Sequence, residues 1–519
     1  MWHFAEIKAL PDIVRYWARE RAEKVALIEA ETSRTYAQLH ERSSAIANHL
    51  ARLGVKRGDV VGLLAKNSVE VFEIWFAAAK LGCAFAPFNW RLAVEELVGI
   101  LDDARPPVVF VGAEFLDAAR QVQNRCAFDF RVVDFHPSKG MEGGLTSWIQ
   151  GVSNEDPKIQ IAPEDIALLS YTSGTTGRPK GVMSSMEAFQ YSFLAGTLDP
   201  ALQWRDDDIM LSSMPNFHLA GSWVPIAGLY HGAALSLIPA FDPVAFLETM
   251  RRDRATLAPL VPTTIAMLLD HPEFQADDFR SVRSVIYYGA PIGEQLLKRA
   301  IKTMQCEFRQ HFGATEMWIG TVFPHADHVS GVPGRLGSCG RAVPLVTLKI
   351  ADDNGQEVPR GTIGELVART PMVMSGYKNL PEATSEVLRD GWYHTGDLGW
   401  MDDDGFICLV DRKKDMIISG AENVYSAEVE LALMKHPDIA LAAVIGTPDP
   451  VWGERVTAVV VIAAGKSLTE DEVKAHTRAH LAGYKVPRAV FFEPALPLTP
   501  NGKVQKGPLR TKYRELVPA

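Results

Sequence analysis

Along the first 410 residues, short β-branched runs alternate with helical patterns, which commits this stretch to a layered α/β domain with helices packed on a sheet. Residues 60–65 read as a buried strand. Asn67, with Glu70 three positions on, makes a capping pair, and Val71, Phe72, Trp75, Phe76 and Ala79 fall on one face of a helix that runs to Gly82. Residues 84–88, 93–103 and 108–111 continue as strand, helix and strand. No strong internal repeat and no low-complexity linker interrupts the pattern. A chain of 519 residues exceeds the size, about 250–300 residues, at which one core stops growing, so two or more packing units are expected.

Composition narrows the classes. Hydrophobic residues make up 47% and charged residues 22%, ordinary globular usage that argues against disorder. A net charge of −10 argues against general nucleic-acid binding. The five cysteines (Cys83, Cys126, Cys306, Cys339, Cys408) are scattered and form no CxxC pair, which fits a reducing compartment better than disulfides or zinc. The opening MWHFAEIKAL has neither a basic start nor a signal-type apolar core, so a cytoplasmic protein is expected. Residues 209–241 contain no Asp, Glu, Lys or Arg, long enough for a membrane span. Pro215, Pro225, Gly228, Gly232 and Pro239 break that run, so it reads instead as a buried helix plus a buried strand, with peripheral membrane contact left open.

The chemistry concentrates in residues 171–181, YTSGTTGRPKG, set between two apolar segments. Glycines bring backbone N–H groups close to an anion, hydroxyls donate further hydrogen bonds, and Lys180 adds a compact positive charge, a composition suited to a nucleoside triphosphate. Thr172, Ser173, Gly174, Thr175, Thr176, Gly177 and Lys180 are the candidate phosphate ligands. The pattern is not that of kinases and GTPases, since Arg178 and Pro179 separate Gly177 from Lys180. A flexible polar turn is the plainer alternative.

This tract, followed in order by FGATE (312–316), YHTGDLG (393–399), DRKKDMIISGAENVYSAEVE (411–430) and PNGKVQK (500–506), resembles the motif set of the adenylate-forming superfamily: acyl-CoA synthetases, luciferases and peptide-synthetase adenylation domains. The likeness spans nearly the whole chain and is strongest to fatty-acyl and aryl-acid CoA ligases. It implies a large N-terminal domain, residues 1–411, built of α/β subdomains, and a small mobile α+β C-terminal domain, residues 412–519, pivoting near Lys414. Between Lys474 and Arg514 nine Lys or Arg face one acid, Glu493, a local sign reversal suited to a lid that visits anionic phosphates.

Residue by residue, the resemblance implies that Gly289, Ala290 and Pro291 with His311, Phe312 and Gly313 sandwich adenine, that Thr315 joins the nucleotide site, and that Asp397 and Arg412 hold the ribose. Glu316 matches a magnesium-binding glutamate. Lys503 matches the lysine that bridges the substrate carboxylate and the α-phosphate, so Lys503, Thr176, Glu316 and His218 form the expected catalytic set. Gly420, Ala421 and Glu422, with Trp452 and Lys485, match coenzyme A contacts; Ala421 stands where many relatives have glycine. His218, Trp223, Gly289, Met317 and Trp318 match the acyl pocket.

The expected reaction follows from charge. A carboxylic acid has a pKa of roughly 4, so its anion needs no base, only help in approaching a negative α-phosphate. One lysine about 4 Å away at an effective dielectric near 20 contributes roughly 4 kcal/mol, about a thousandfold in rate. The adenylate then passes to the thiol of coenzyme A, giving acyl-CoA and AMP, with ATP, Mg²⁺ and coenzyme A as the implied small molecules. No acid lies between Phe217 and Trp223 to pair a substrate ammonium, so an amine-bearing substrate is disfavoured. A medium-to-long-chain fatty acid is favoured and a cinnamate- or ferulate-like aryl acid is the alternative; a steroid-like acid and a homodimer stay open. The remoter readings are a non-catalytic nucleotide or acyl sensor and a luciferase-like oxidase.

Overall fold

The computed structural model describes residues 4–136, 144–172, 179–419, 422–498 and 504–514. The chain divides into two compact units. The first comprises residues 1–336, 340–347 and 368–393, and the second residues 337–339, 348–367 and 394–519.

The first unit carries two large sheets. One has nine strands, with Ile209–Ser212, Ala234–Leu237, Leu257–Leu260, Ser284–Tyr288 and Glu307–Phe312 in its interior; each of these pairs in parallel with its interior neighbours. Antiparallel strands close both edges. The other has seven strands, and its centre, Val60–Leu64, Ala84–Pro87 and Val108–Gly112, is the parallel strand–helix–strand alternation read from sequence. Their continuous apolar runs, buried at every position, are what a sheet covered on both faces requires.

The helix between the first two of these strands, Val69–Lys80, departs from expectation in two respects. Ser68, not Asn67, occupies its N-cap position, and the Val69 N–H donates to the Glu29 carboxylate at 2.9 Å. Asn67 is drawn away by tertiary contacts: its amide donates to Met214 O at 2.8 Å and its carbonyl accepts from Asn216 N at 3.1 Å. The helix is also buried around nearly its whole circumference, not on one face, because it packs against both flanking helices, Leu10–Glu20 and Tyr36–Arg52. Glu73, fully buried within it, is compensated by Arg34 and Arg42 at 2.8 and 2.6 Å.

The uncharged run at 209–241 resolves into strand Ile209–Ser212, helix Leu219–Tyr230 and strand Ala234–Leu237, one strand more than expected. Helix Leu219–Tyr230 is only 12 residues long, and among the described residues no helix is long and apolar enough to cross a membrane.

In the second unit, residues 397–401 of strand Trp392–Met401 pair antiparallel with Ile407–Arg412, setting Asp397 opposite Arg412. Further along, strands Ile439–Asp449 and Gly453–Ile462 form a long antiparallel pair covered by helices Ser426–Leu433, Glu470–His480 and Lys506–Arg514. Val429, Leu433, Val444, Val456, Val460 and Val473 make a separate apolar core there.

Lys80 has no solvent exposure, and its ammonium donates to His40 O at 2.7 Å and Ser44 Oγ at 2.6 Å. Burial lowers its pKa to about 7. The unfolded chain, with a lysine near 10.5, therefore binds this proton more tightly, so stability from this site rises as pH increases from about 7 to about 10. Thermal unfolding of wild type and Lys80→Met across that window should show the wild type gaining on the variant as pH rises.

Candidate active site

The glycine-rich tract lies between the antiparallel strands Ile166–Thr172 and Lys180–Ser185, whose register sets Thr172 opposite Lys180. A strand therefore follows the tract, where a helix follows the commoner phosphate loops. Ser173, Gly174, Thr175, Thr176 and Gly177 lie outside the described residues, as do Gly420, Ala421 and Lys503. Tyr171, at the strand end, donates its hydroxyl to Asp103 at 2.6 Å, which fixes the root of the loop.

A third strand, Gly376–Tyr377, pairs antiparallel with Lys180–Ser185 and sets Tyr377 opposite Val182. The Lys180 ammonium sits 4.8 Å from the centre of the Tyr377 ring, and the Tyr377 hydroxyl donates to Glu316 Oε1 at 2.8 Å. Burial, and then the Glu316 charge, push the Tyr377 phenol well above its ordinary range, so it stays a proton donor. A second tie, Met374 N–H to Glu316 O at 2.7 Å, holds the same segment against the FGATE loop. Tyr377 thus links the cation expected at the phosphates to the carboxylate expected at the metal. Sequence reasoning missed it; the available signal was a lone aromatic in the polar turn SGYKN.

The FGATE loop is tightly closed. Gly313 passes so near the Trp318 carbonyl that a Cβ there would lie 1.8 Å from its oxygen. Trp318 itself has φ +66°, a rare conformation for a bulky residue, held by its N–H to Ala314 O at 2.7 Å and by edge-on packing of its ring on Phe189 at 4.2 Å. Met317 and Trp318 are buried, and Trp318 meets Trp223 with ring centres 6.0 Å apart. Gly289, just beyond the end of strand Ser284–Tyr288, has φ +87° and is followed by Ala290 and Pro291. Phe312 and His311 lie on the neighbouring strand, His311 in register with Tyr288.

His218 takes the N-cap position of helix Leu219–Tyr230, its ring 4.5 Å from that of Phe217. One turn on, Trp223 donates its indole N–H to Ser192 Oγ at 2.9 Å and lines a cavity with Phe193, Trp204, Ala227, Ile286 and His311. Of the five expected acyl-pocket residues, Trp223 alone lines this cavity; His218, Gly289, Met317 and Trp318 do not.

In the second unit, Arg412 Nε lies 2.6 Å from Asp397 Oδ1, the carboxylate being buried and the guanidinium half-exposed. Thr395 Oγ1 fixes the turn by accepting from Asp397 N–H at 3.0 Å while donating to Leu366 O at 2.7 Å. Lys414 is exposed, and partial desolvation lowers its pKa. Its neighbour Asp415 pairs with Arg510 at 2.8 Å. Glu422 begins strand Glu422–Val424. Trp452 is exposed, with the Arg488 guanidinium 4.2 Å from its ring centre. Lys485 is engaged by Glu428 at 2.6 Å, so a phosphate there would compete with that carboxylate.

Lys180, Tyr377 and Glu316 in the first unit, and Asp397 with Arg412 in the second, stand in contact within their own units. The family profile described as AMP-binding enzyme matches residues 14–378, and that described as AMP-binding enzyme C-terminal domain matches residues 428–503. A feruloyl-CoA synthase of Amycolatopsis is 37% identical over 96% of this chain and 97% of its own. A long-chain-fatty-acid–CoA ligase of Mycobacterium tuberculosis is 34% identical over 93% and 94%. The ATP-bound MatB structure from Rhodopseudomonas palustris superposes with a TM-score of 0.87 at 31% identity, covering 97% and 99% of the two chains. The chain belongs to the AMP-binding family of adenylate-forming enzymes and is an acid-activating, AMP-forming ligase.

Tyr377→Phe removes a hydrogen bond to a carboxylate, about 1.5 kcal/mol, and should slow adenylate formation about tenfold with little change in melting temperature. Gly313→Ala should cost at least about 3 kcal/mol, read by denaturant unfolding, because the loop backbone must shift to admit the methyl.

Proposed function

We propose that the enzyme activates a hydrophobic carboxylic acid with ATP to an acyl-adenylate plus pyrophosphate, then transfers the acyl group to coenzyme A, releasing AMP. The observation that carries the reading is the Lys180–Tyr377–Glu316 chain, built on the strand Lys180–Ser185 that follows the glycine-rich tract. The loop N–H groups and Lys180 bind phosphate oxygens, and Asp397 accepts hydrogen bonds from ribose hydroxyls with Arg412 beside it. Glu316 is a hard oxygen donor held by Tyr377, with one carboxylate oxygen left for a ligand. Such a donor suits Mg²⁺ shared between one carboxylate and the substrate phosphates. When bound, Mg²⁺ would neutralise charge on the phosphates. Lys503 supplies the ammonium between carboxylate and α-phosphate, so proximity and charge take the place of a general base.

The thiol step needs access more than a base, because a thiol of pKa about 8.5 is already a few per cent thiolate at neutral pH. Rotation near Lys414 provides that access by exchanging the Lys503 loop for the segment at Gly420, Ala421 and Glu422. The domain division at 411/412 belongs to the same proposal. A cytoplasmic location fits the cysteine usage.

Sequence favours a medium-to-long-chain fatty acid. The likeness to a feruloyl-CoA synthase instead supports the compact aryl acid. A panel of carboxylic acids with ATP, magnesium and coenzyme A should yield AMP and pyrophosphate; ADP as product, or no turnover with any acid, would overturn the reading. Lys503→Ala should slow adenylate formation by roughly 10²–10³ yet still convert a supplied acyl-adenylate to thioester. Lys414→Pro should do the reverse, since a fixed φ hinders the pivot. Equal losses in both steps for either variant would contradict the division of labour.

A further inference from the structure

Glu365 is a buried carboxylate on strand Gly364–Arg369, the sheet neighbour of Trp392–Met401, and it lies outside every motif singled out in the sequence. Its two oxygens meet three donors of the second unit. Oε1 accepts from Gly396 N–H at 3.2 Å, while Oε2 lies 3.3 Å from His394 Nδ1 and 3.5 Å from the Lys413 ammonium. Gly396, with φ +69°, immediately precedes Asp397, and its carbonyl accepts from Lys413 N–H at 2.8 Å. Gly396 is therefore held through both of its peptide groups, and Lys413 through both backbone and side chain. The contacts close a ring that runs from Glu365 to Gly396, on to Lys413 and back to Glu365. Both members of the Asp397–Arg412 pair are the next residues along the chain: Asp397 follows Gly396, and Arg412 precedes Lys413. Lys413 also reaches the exposed Asp353 at 2.7 Å, a hydrogen bond that raises its pKa and keeps it charged.

A buried carboxylate is costly unless it is paired, and one met by three donors fixes the groups that carry them. Here two of those donors belong to the residues flanking Asp397 and Arg412. The carboxylate thereby sets the direction in which the Gly396 peptide leads into Asp397 and the place from which Arg412 reaches it. An acceptor aimed in advance holds a ligand hydroxyl without a further ordering cost, so this scaffold strengthens any hydrogen bond that Asp397 accepts. We propose that Glu365 is a positioning residue for the nucleotide ribose: through Gly396 and Lys413 it holds Asp397 and Arg412 where the Asp397 carboxylate accepts from the ribose hydroxyls. The proposal rests on the reading of Asp397 as the ribose ligand given above.

The test compares calorimetric binding of ATP and of 2′,3′-dideoxy-ATP, which lacks both ribose hydroxyls, to the full-length protein with magnesium present. Wild type should bind ATP more tightly by roughly 10- to 100-fold, and Asp397→Ala should bring the ratio near one. Glu365→Ala should also reduce the ratio to about threefold or less, by weakening ATP and sparing the dideoxy nucleotide. A purely structural role would weaken both nucleotides alike and leave the ratio unchanged. Lys413→Met, at a half-exposed side chain, opens the same ring from its other side and should lower the ratio at least about threefold. A wild-type ratio that survives Glu365→Ala, or survives Lys413→Met should Glu365→Ala fail to fold, would overturn this inference while the ribose reading stands. Equal affinity of wild type for the two nucleotides would instead sink the ribose reading beneath it.

Discussion

The pairing of Gly376–Tyr377 with Lys180–Ser185 is the contact on which the first unit's site depends. It brings a segment nearly two hundred residues away alongside the root of the glycine-rich loop and inserts one aromatic ring between an ammonium and a carboxylate. Two groups of opposite sign are thereby held apart by a phenol that contacts both. A direct Lys180–Glu316 ion pair would leave each group occupied by the other. With Tyr377 between them, each keeps capacity for phosphate or cation.

The second constraint is steric. Gly313 and the left-handed Trp318 fold the FGATE segment so tightly that its ends touch. Glu316 emerges from that turn toward Tyr377, while Trp318 turns inward to the core that also holds Phe189 and Trp223. One short loop thus serves polar and apolar sides at once, and this accounts for a strained backbone at a bulky residue.

Much of this was legible in the sequence because short-range patterns encode it. The alternation from Val60 to Gly112 reads directly from β-branched runs, and the motifs at 171–181, 312–316 and 393–399 carry their residue types in order. What the sequence hid is set by distant neighbours. Asn67 looks like a cap, but Met214 and Asn216 compete for its side chain. Glu428 engages Lys485, which local spacing leaves free for a phosphate. Tyr377 and the cavity face of His311 depend on strand register across the sheets, which no local periodicity reports. Ser173 to Gly177, Gly420, Ala421 and Lys503 lie outside the described residues, so their roles rest on the motifs they belong to.

The buried amine of Lys80 acquires a meaning from the proposed chemistry. An enzyme that makes mixed anhydrides manufactures an acylating agent in the midst of its own lysines, and the most vulnerable amine is the one that is neutral at working pH. With a pKa of about 7, Lys80 is unprotonated about half the time, yet the desolvation that strips its proton also closes it off from the solvent through which any escaped adenylate would travel. Self-damage at this amine is thus limited by its burial: the group able to react is the one hidden.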